Sequence, residues 1–167
     1  MIGLGGNLGT DAGIVERFDR AREAIAALGA CAAGGGVRSA PLYRSAPLGP
    51  AQPAFLNTAV ELALADVQPG ELIAALLEIE RQLGRAREGV ARWGPRRIDL
   101  DVLVWGARTV RTPELWVPHP RLAERKFALA PLVALLGDSF PVPGLATAGA
   151  LLAQVAAQDC VEIAASW

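Results

Sequence analysis

Arg97 to Trp105 is the clearest strand in the sequence, with apolar and polar residues alternating as far as Val102, and this run constrains the fold more than any other part of the chain. Ile98, Leu100, Val102 and Val104 fall on one face of an extended strand, and the carboxylates Asp99 and Asp101 on the other. A strand with one apolar face needs neighbours to pair with and a layer to bury it, and the remaining sequence supplies both. Met1 to Gly5 reads as a strand entering a glycine turn. Asp11 is placed to cap a helix whose apolar positions Ile14, Phe18, Ile25 and Leu28 fall near helical spacing, with Gly29 just past its end. Val37 to Tyr43 reads as a strand, Pro47 to Pro53 as a loop, and Phe55 to Leu64 as another strand. Pro69 suits the first turn of a second helix, with Leu72, Leu76, Ile79 and Leu83 as its stripe and Gly84 as its stop.

Strand, helix, two strands, helix, strand is the βαββαβ order of a ferredoxin-like α/β sandwich, an α+β fold. Extra C-terminal elements follow it. Thr109 to Arg111 is expected as a short hairpin partner. Phe127 to Leu136 is helical but for Pro131, and Ala148 to Ala157 reads as the last helix. At 167 residues, 52% hydrophobic and 20% charged, the chain is expected to form a single domain over residues 1–167. Cys31 and Cys160 lie far apart with no metal-type spacing, so two buried reduced thiols are expected. No apolar run reaches the about eighteen residues of a membrane span. No basic leader or cleavage site opens the chain, so a cytoplasmic location is expected. A net charge of -1 argues against bulk electrostatic binding to nucleic acid.

Two residues along a strand cover about 6.5 Å, so Asp99 and Asp101 can converge on one or two cations. Hard oxygen donors without a nearby Cys or His favour Mg²⁺ over zinc. Alone, such a carboxylate pair is more often the wet face of an edge strand. Here an arginine-rich loop, Gly84 to Arg96, feeds directly into it, with Arg85, Arg87, Arg92 and Arg96 interleaved with glycines. Of the sixteen basic residues only Lys126 is a lysine, and the arginine fork suits phosphate oxygens. Cation-binding carboxylates beside an arginine clamp are the parts that phosphoryl transfer requires. Gly3 to Gly9 lacks the dinucleotide-binding spacing and reads as a tight strand-to-helix turn. His119, the only histidine, lies between two prolines with Arg121 and Arg125 downstream. It is either structural or a donor to a nucleotide phosphate or ribose.

The run Arg92-Trp93-Gly94-Pro95-Arg96-Arg97-Ile98-Asp99-Leu100-Asp101-Val102 resembles the signature of the 6-hydroxymethyl-7,8-dihydropterin pyrophosphokinase family of the folate pathway. Ordered motifs extend the resemblance: Gly5-Gly6-Asn7-Leu8-Gly9, Tyr43 to Pro50, Phe55-Leu56-Asn57, Leu83 to Arg87, Val117 to Arg121 and Arg125-Lys126-Phe127. The resemblance implies transfer of the β,γ-pyrophosphoryl group of ATP to the pterin hydroxymethyl oxygen. It implies two Mg²⁺ ions on Asp99 and Asp101, with Arg85 and Arg96 acting on the phosphates during catalysis. Arg87, His119 and Arg125 are implied to hold ATP, and Glu80, Trp93 and Val102 occupy nucleotide-site positions. The pterin is implied to lie between Phe55 and Phe127, with Asn57 on its polar edge and Ser45, Ala46 and Leu48 completing the pocket. The implied partners are ATP and the pterin, on a monomer, with no nucleic acid and no membrane.

Phe55 and Ala46 stand where some relatives have Tyr and Pro, and Leu77 where some have Gln. The first strand starts almost at Met1, which leaves room for a start codon upstream. A catalytically inactive binding module and an unrelated transferase using a nucleotide sugar are the alternatives. The intact carboxylate pair and arginine loop argue against the first, and the Phe55/Asn57 pocket against the second.

Overall fold

The computed structural model describes residues 1–29, 36–47, 49–64, 67–85 and 94–167. In chain order the described elements are β1 (Ile2–Gly6), α1 (Asp11–Gly29), β2 (Arg38–Ser39), β3 (Leu42–Ser45), β4 (Phe55–Glu61), α2 (Pro69–Gln82) and β5 (Asp99–Val102). After these come β6 (Val110–Arg111), β7 (Trp116–Val117), a 3₁₀ turn (Leu122–Glu124), α3 (Lys126–Leu136), α4 (Ala148–Gln154) and β8 (Cys160–Ala164). The main sheet runs β5-β1-β4-β3-β8, every pairing antiparallel, with β2 also beside β4. The molecule is thus an α+β protein, an antiparallel sheet with four α-helices among the described residues.

Strand alternation sorts the core into two layers. Ile2 and Leu4 of β1, Leu56 and Val60 of β4, and Leu100 and Val102 of β5 meet Ile14, Phe18 and Ile25 of α1 and Leu72, Leu76 and Ile79 of α2. On the opposite face Ala59 and Leu103 pack with Ala128, Leu129 and Leu132 of α3 and Leu151 of α4. Burying each large aliphatic side chain stabilises the fold by about 1.5–3 kcal/mol. Helices α1 and α2 blanket one face of the sheet, whereas α3 covers only part of the other. The uncovered part is the site.

Several boundaries differ from the sequence expectation for local reasons. Thr10, not Asp11, caps α1: its Oγ1 accepts from the Gly13 N–H at 3.2 Å, while Asp11 pairs with Arg44. Val37 to Tyr43 is two strands, because Pro41 has no N–H to give to a ladder. The β4 run stops at Glu61, short of Leu64. Alternation in β5 ends at Val102, and Val104 turns into the α3 layer beside Leu103. β6 pairs with β7 in a separate two-stranded sheet, not with β5. Gly29 lies within the last turn of α1. Pro131 lies inside α3, which continues past it because Leu129 and Leu132 are fully buried on either side. α4 ends at Gln154, and β8 was not expected from the sequence. Val161 and Ile163 flank Glu162 in an alternation only three residues long, and all three are exposed, so the run is too short to mark a strand.

Gly84 ends α2 as expected. Its φ of +84° is open to glycine and strained for other residues, and it lets the Arg85 N–H reach the Glu80 carbonyl at 3.0 Å. Cys160 is a buried free thiol. The expectations for Cys31, Leu48, Arg87, Arg92 and Trp93 lie outside the described residues. No helix among the described residues is long and apolar enough to cross a membrane.

Candidate active site

The floor of the site is β1. Gly5 lies opposite Asp99 on one neighbour and Asn57 on the other, and Gly3 opposite Asp101 and Ala59. Residues directly opposite share a sheet face, so Asp99, Asp101 and Asn57 rise from the same side. The two glycines between them add no side chain, and a Cβ at Gly5 would come within 3.3 Å of Asn57 Oδ1. The sequence places these glycines where a strand enters a turn, without marking them as the floor of a site. Their spacing of two, alternating with the buried Ile2 and Leu4, was the available signal for a bare strand face.

Above this floor opens a cleft enclosing about 820 Å³, solvent at its mouth included. Ten of the expected site residues line it together: Ser45, Ala46, Phe55, Asn57, Arg96, Asp99, Asp101, His119, Arg125 and Phe127. Its two ends differ in chemistry. At one, Asn57 Nδ2 donates to Ser45 Oγ at 2.9 Å, both residues buried, and Phe55 and Phe127 add apolar lining. At the other are the carboxylates, arginines and histidine.

Asp99 accepts from the guanidinium groups of Arg85 and Arg96. Asp101 is less compensated. Burial, and then the charge of Asp99, push its carboxyl up to about 6, with Arg125 pulling the other way. Arg85 also pairs with Glu80, which is 1% exposed and accepts the Leu100 N–H at 2.8 Å. Glu80 therefore ties α2 to β5 from behind the cleft. Neither it nor Arg85 is part of the lining. Val102, 4% exposed, faces the α1/α2 layer and does not line the cleft either. Glu80→Ala would leave Arg85 and the Leu100 N–H short of a buried acceptor. A loss of about 3 kcal/mol is expected, read as a lower urea midpoint at unchanged slope.

Asn7 was not singled out beforehand, yet it joins two walls. Its Oδ1 accepts from the Arg96 N–H at 2.8 Å, and its Nδ2 donates to the Pro53 carbonyl and to Gln52 Oε1, each at 3.0 Å. An asparagine only 2% exposed has to satisfy its amide internally. The sequence shows the residue but not that it is buried.

His119 is anchored to the end of β5 by its N–H, which donates to the Leu103 carbonyl at 2.9 Å. Its Nδ1 accepts from the Arg121 N–H at 3.1 Å, so the neutral ring carries its hydrogen on Nε2. Burial, and next the charge of Arg125, hold its pKa down to about 4. His119 is therefore a neutral Nε2–H donor at physiological pH. The Arg125 guanidinium lies 5.6 Å from the Phe127 ring centroid, and its buried Nε has no hydrogen-bond partner. Arg96 lies 6.0 Å from the Phe55 centroid. Each arginine thus stands where the charged end meets the aromatic end, ready for an anion on one side and a flat apolar ring on the other.

A family model described as 7,8-dihydro-6-hydroxymethylpterin-pyrophosphokinase matches residues 1–137. A 2-amino-4-hydroxy-6-hydroxymethyldihydropteridine pyrophosphokinase of Synechocystis is 38% identical over 138 residues, covering 83% of this chain and 66% of that protein. The Bacillus subtilis protein of the same name is 41% identical over 135 residues, covering 80% and 75%. A mitochondrial folate synthesis bifunctional protein of Arabidopsis thaliana is 41% identical over 143 residues, covering 83% of this chain but 24% of that one. The chain therefore spans about two thirds of the first of these relatives and a smaller part of the bifunctional one. With the family match running through β1, the arginine loop, the Asp99/Asp101 strand and α3, the chain belongs to the 7,8-dihydro-6-hydroxymethylpterin-pyrophosphokinase family.

Proposed function

We propose that the chain transfers the β,γ-pyrophosphoryl group of ATP to the hydroxymethyl oxygen of 6-hydroxymethyl-7,8-dihydropterin, a step of folate synthesis. The products are AMP and the pterin diphosphate. The observation that carries this is the two-ended cleft: a paired-carboxylate and arginine end for a triphosphate adjoins an aromatic and amide end for a flat heterocycle. The acceptor oxygen bonds to the β-phosphorus as the bond from that phosphorus to the AMP oxygen breaks, and the hydroxyl proton leaves to solvent.

The donor set fits magnesium. Asp99 and Asp101 stand on one face of β5 in the cleft lining as hard oxygen donors, the type that suits magnesium. Asp99 and Asp101 would hold two Mg²⁺ ions, which would supply neutralising charge to the triphosphate. Arg96, Arg125 and the Nε2–H of His119 bind the phosphate oxygens, and Arg125 offers its unpartnered Nε among its donors. Arg85 acts through Asp99, which it holds in place. Phe55 and Phe127 sandwich the pterin, and Asn57 and Ser45 hydrogen-bond its edge. The strand order β5-β1-β4-β3 with α1 and α2 on one face supports assignment to the ferredoxin-like sandwich. Both core layers pack on one sheet, which supports a single domain. A cytoplasmic location fits a reaction that consumes ATP.

The direct test is incubation with ATP, magnesium and the hydroxymethyl pterin. AMP formed in step with pterin diphosphate is expected; ADP as the nucleotide product, or no turnover, overturns the proposal. Phe55→Ala and Phe127→Ala should each weaken pterin binding by about 1–3 kcal/mol, as loss of one stacking face does for nucleobases. Calorimetry with a non-hydrolysable ATP analogue present measures this, and unchanged affinity in both variants removes the sandwich.

A further inference from the structure

Residues 138–167 lie beyond the family match, yet their turn after α4 reaches the cleft from behind. The side-chain amide of Gln158 spans the backbone on both sides of Arg125. Its Oε1 accepts from the Lys126 N–H at 3.0 Å, and its Nε2 donates to the Glu124 carbonyl at 2.7 Å. Lys126 Nζ returns the contact, donating to the carbonyls of Ala156 at 3.0 Å and Gln158 at 3.1 Å. One residue further on, the Asp159 carbonyl accepts from the Ala46 N–H at 3.2 Å. The same turn therefore holds the Arg125/Phe127 wall and the Ser45/Ala46 wall of the cleft.

Arg125 is extended, with φ -130° and ψ 101°, between the 3₁₀ turn and α3. In extended backbone the carbonyl before a residue and the N–H after it point to the same side, as in a strand presenting both to a neighbour. An amide that bonds both acts as a one-residue strand partner and fixes the residue between them. Among the described residues no hydrogen bond reaches the buried Nε of Arg125, so the direction of this side chain depends on its backbone, on its contact with Phe127 and on the charges of Asp101, Asp99 and Glu124 around it.

We infer that Gln158 is a positioning residue for the site, aiming Arg125 at the nucleotide and seating Phe127 at the start of α3. The inference rests on the pyrophosphokinase reading above. It assigns part of the site's precision to a segment outside the matched family region.

The test titrates a non-hydrolysable ATP analogue with magnesium chloride into wild type, Gln158→Ala and Gln158→Glu, each alone and combined with Arg125→Ala. Two neutral hydrogen bonds at their ordinary net worth correspond to about ten-fold weaker binding for Gln158→Ala. Gln158→Glu has the same size and keeps the acceptor but sets a carboxylate against the Glu124 carbonyl. It is expected to lose several-fold and decides the matter if the alanine variant does not fold. In the Arg125→Ala background neither change should weaken nucleotide binding further, although any loss of melting temperature should persist in both backgrounds. Unchanged affinity in the Gln158 variants, or the same loss with and without Arg125, overturns the inference and leaves the pyrophosphokinase reading intact. Wild type that binds neither the analogue nor the pterin overturns that reading and the inference with it.

Discussion

Asp99→Ala and Asp101→Ala are each expected to lower turnover by about a thousand-fold or more, since charge stabilisation at a metal-assisted phosphoryl site is worth several kcal/mol. The two should differ in stability. Asp101 stands on the same face as Asp99 with less positive charge nearby, so its ionised form costs burial and repulsion. Removing it should leave the melting temperature unchanged or raised. Asp99 is the shared acceptor of Arg85 and Arg96, and its loss leaves those two guanidinium groups facing each other, so Asp99→Ala should also destabilise. Thermal melts beside AMP-release assays separate the effects. Both variants within a few-fold of wild-type turnover would remove the carboxylates from the mechanism, whatever the melts show.

That pair was legible in the sequence because strand alternation is a local property: two aspartates two residues apart must share a face wherever the strand is placed. The arginine-rich approach to the strand was legible for the same reason. What the sequence could not disclose was the partner across the sheet. Gly3 and Gly5 carry no sign of a site until register sets Gly5 between Asp99 and Asn57 and Gly3 between Asp101 and Ala59, where their bareness makes the floor. Glu80 and Val102 are buried off the cleft lining, a depth that their neighbours in sequence do not mark. Asn7 and Gln158 act through backbone groups far along the chain, and nothing in their own neighbourhoods in sequence marks those partners. β8 escaped because its exposed Val161 and Ile163 break the usual link between apolarity and burial. Contacts fixed by spacing of two or four along one element could be read. Those fixed by register between elements needed the fold.

Arg96 is the side chain for which the rate and the affinity should part most sharply. It lines the cleft, touches Asp99, and has its backbone clamped by Asn7 at 2.8 Å and 3.0 Å, so its guanidinium is held in place before any ligand arrives. A donor fixed in advance contributes most where charge develops during transfer, because it needs no reorganisation then. Arg125 and His119 remain to bind the triphosphate when Arg96 is gone. Arg96→Ala is therefore expected to lower the single-turnover rate by about 10²–10³, the usual cost of one preorganised donor, with nucleotide affinity changed only a few-fold. Arg96→Lys should recover little, since a single ammonium cannot serve Asp99 and a phosphate with the same fixed fork. Arg85→Ala should show a different pattern, losing stability along with rate, because it removes a guanidinium paired with the buried Glu80. Rapid-quench kinetics beside equilibrium titration of the ATP analogue distinguish the cases. An Arg96→Ala protein with a normal chemical step and lost nucleotide binding would make Arg96 an anchor, and preorganised charge stabilisation would then have to be sought at Arg125.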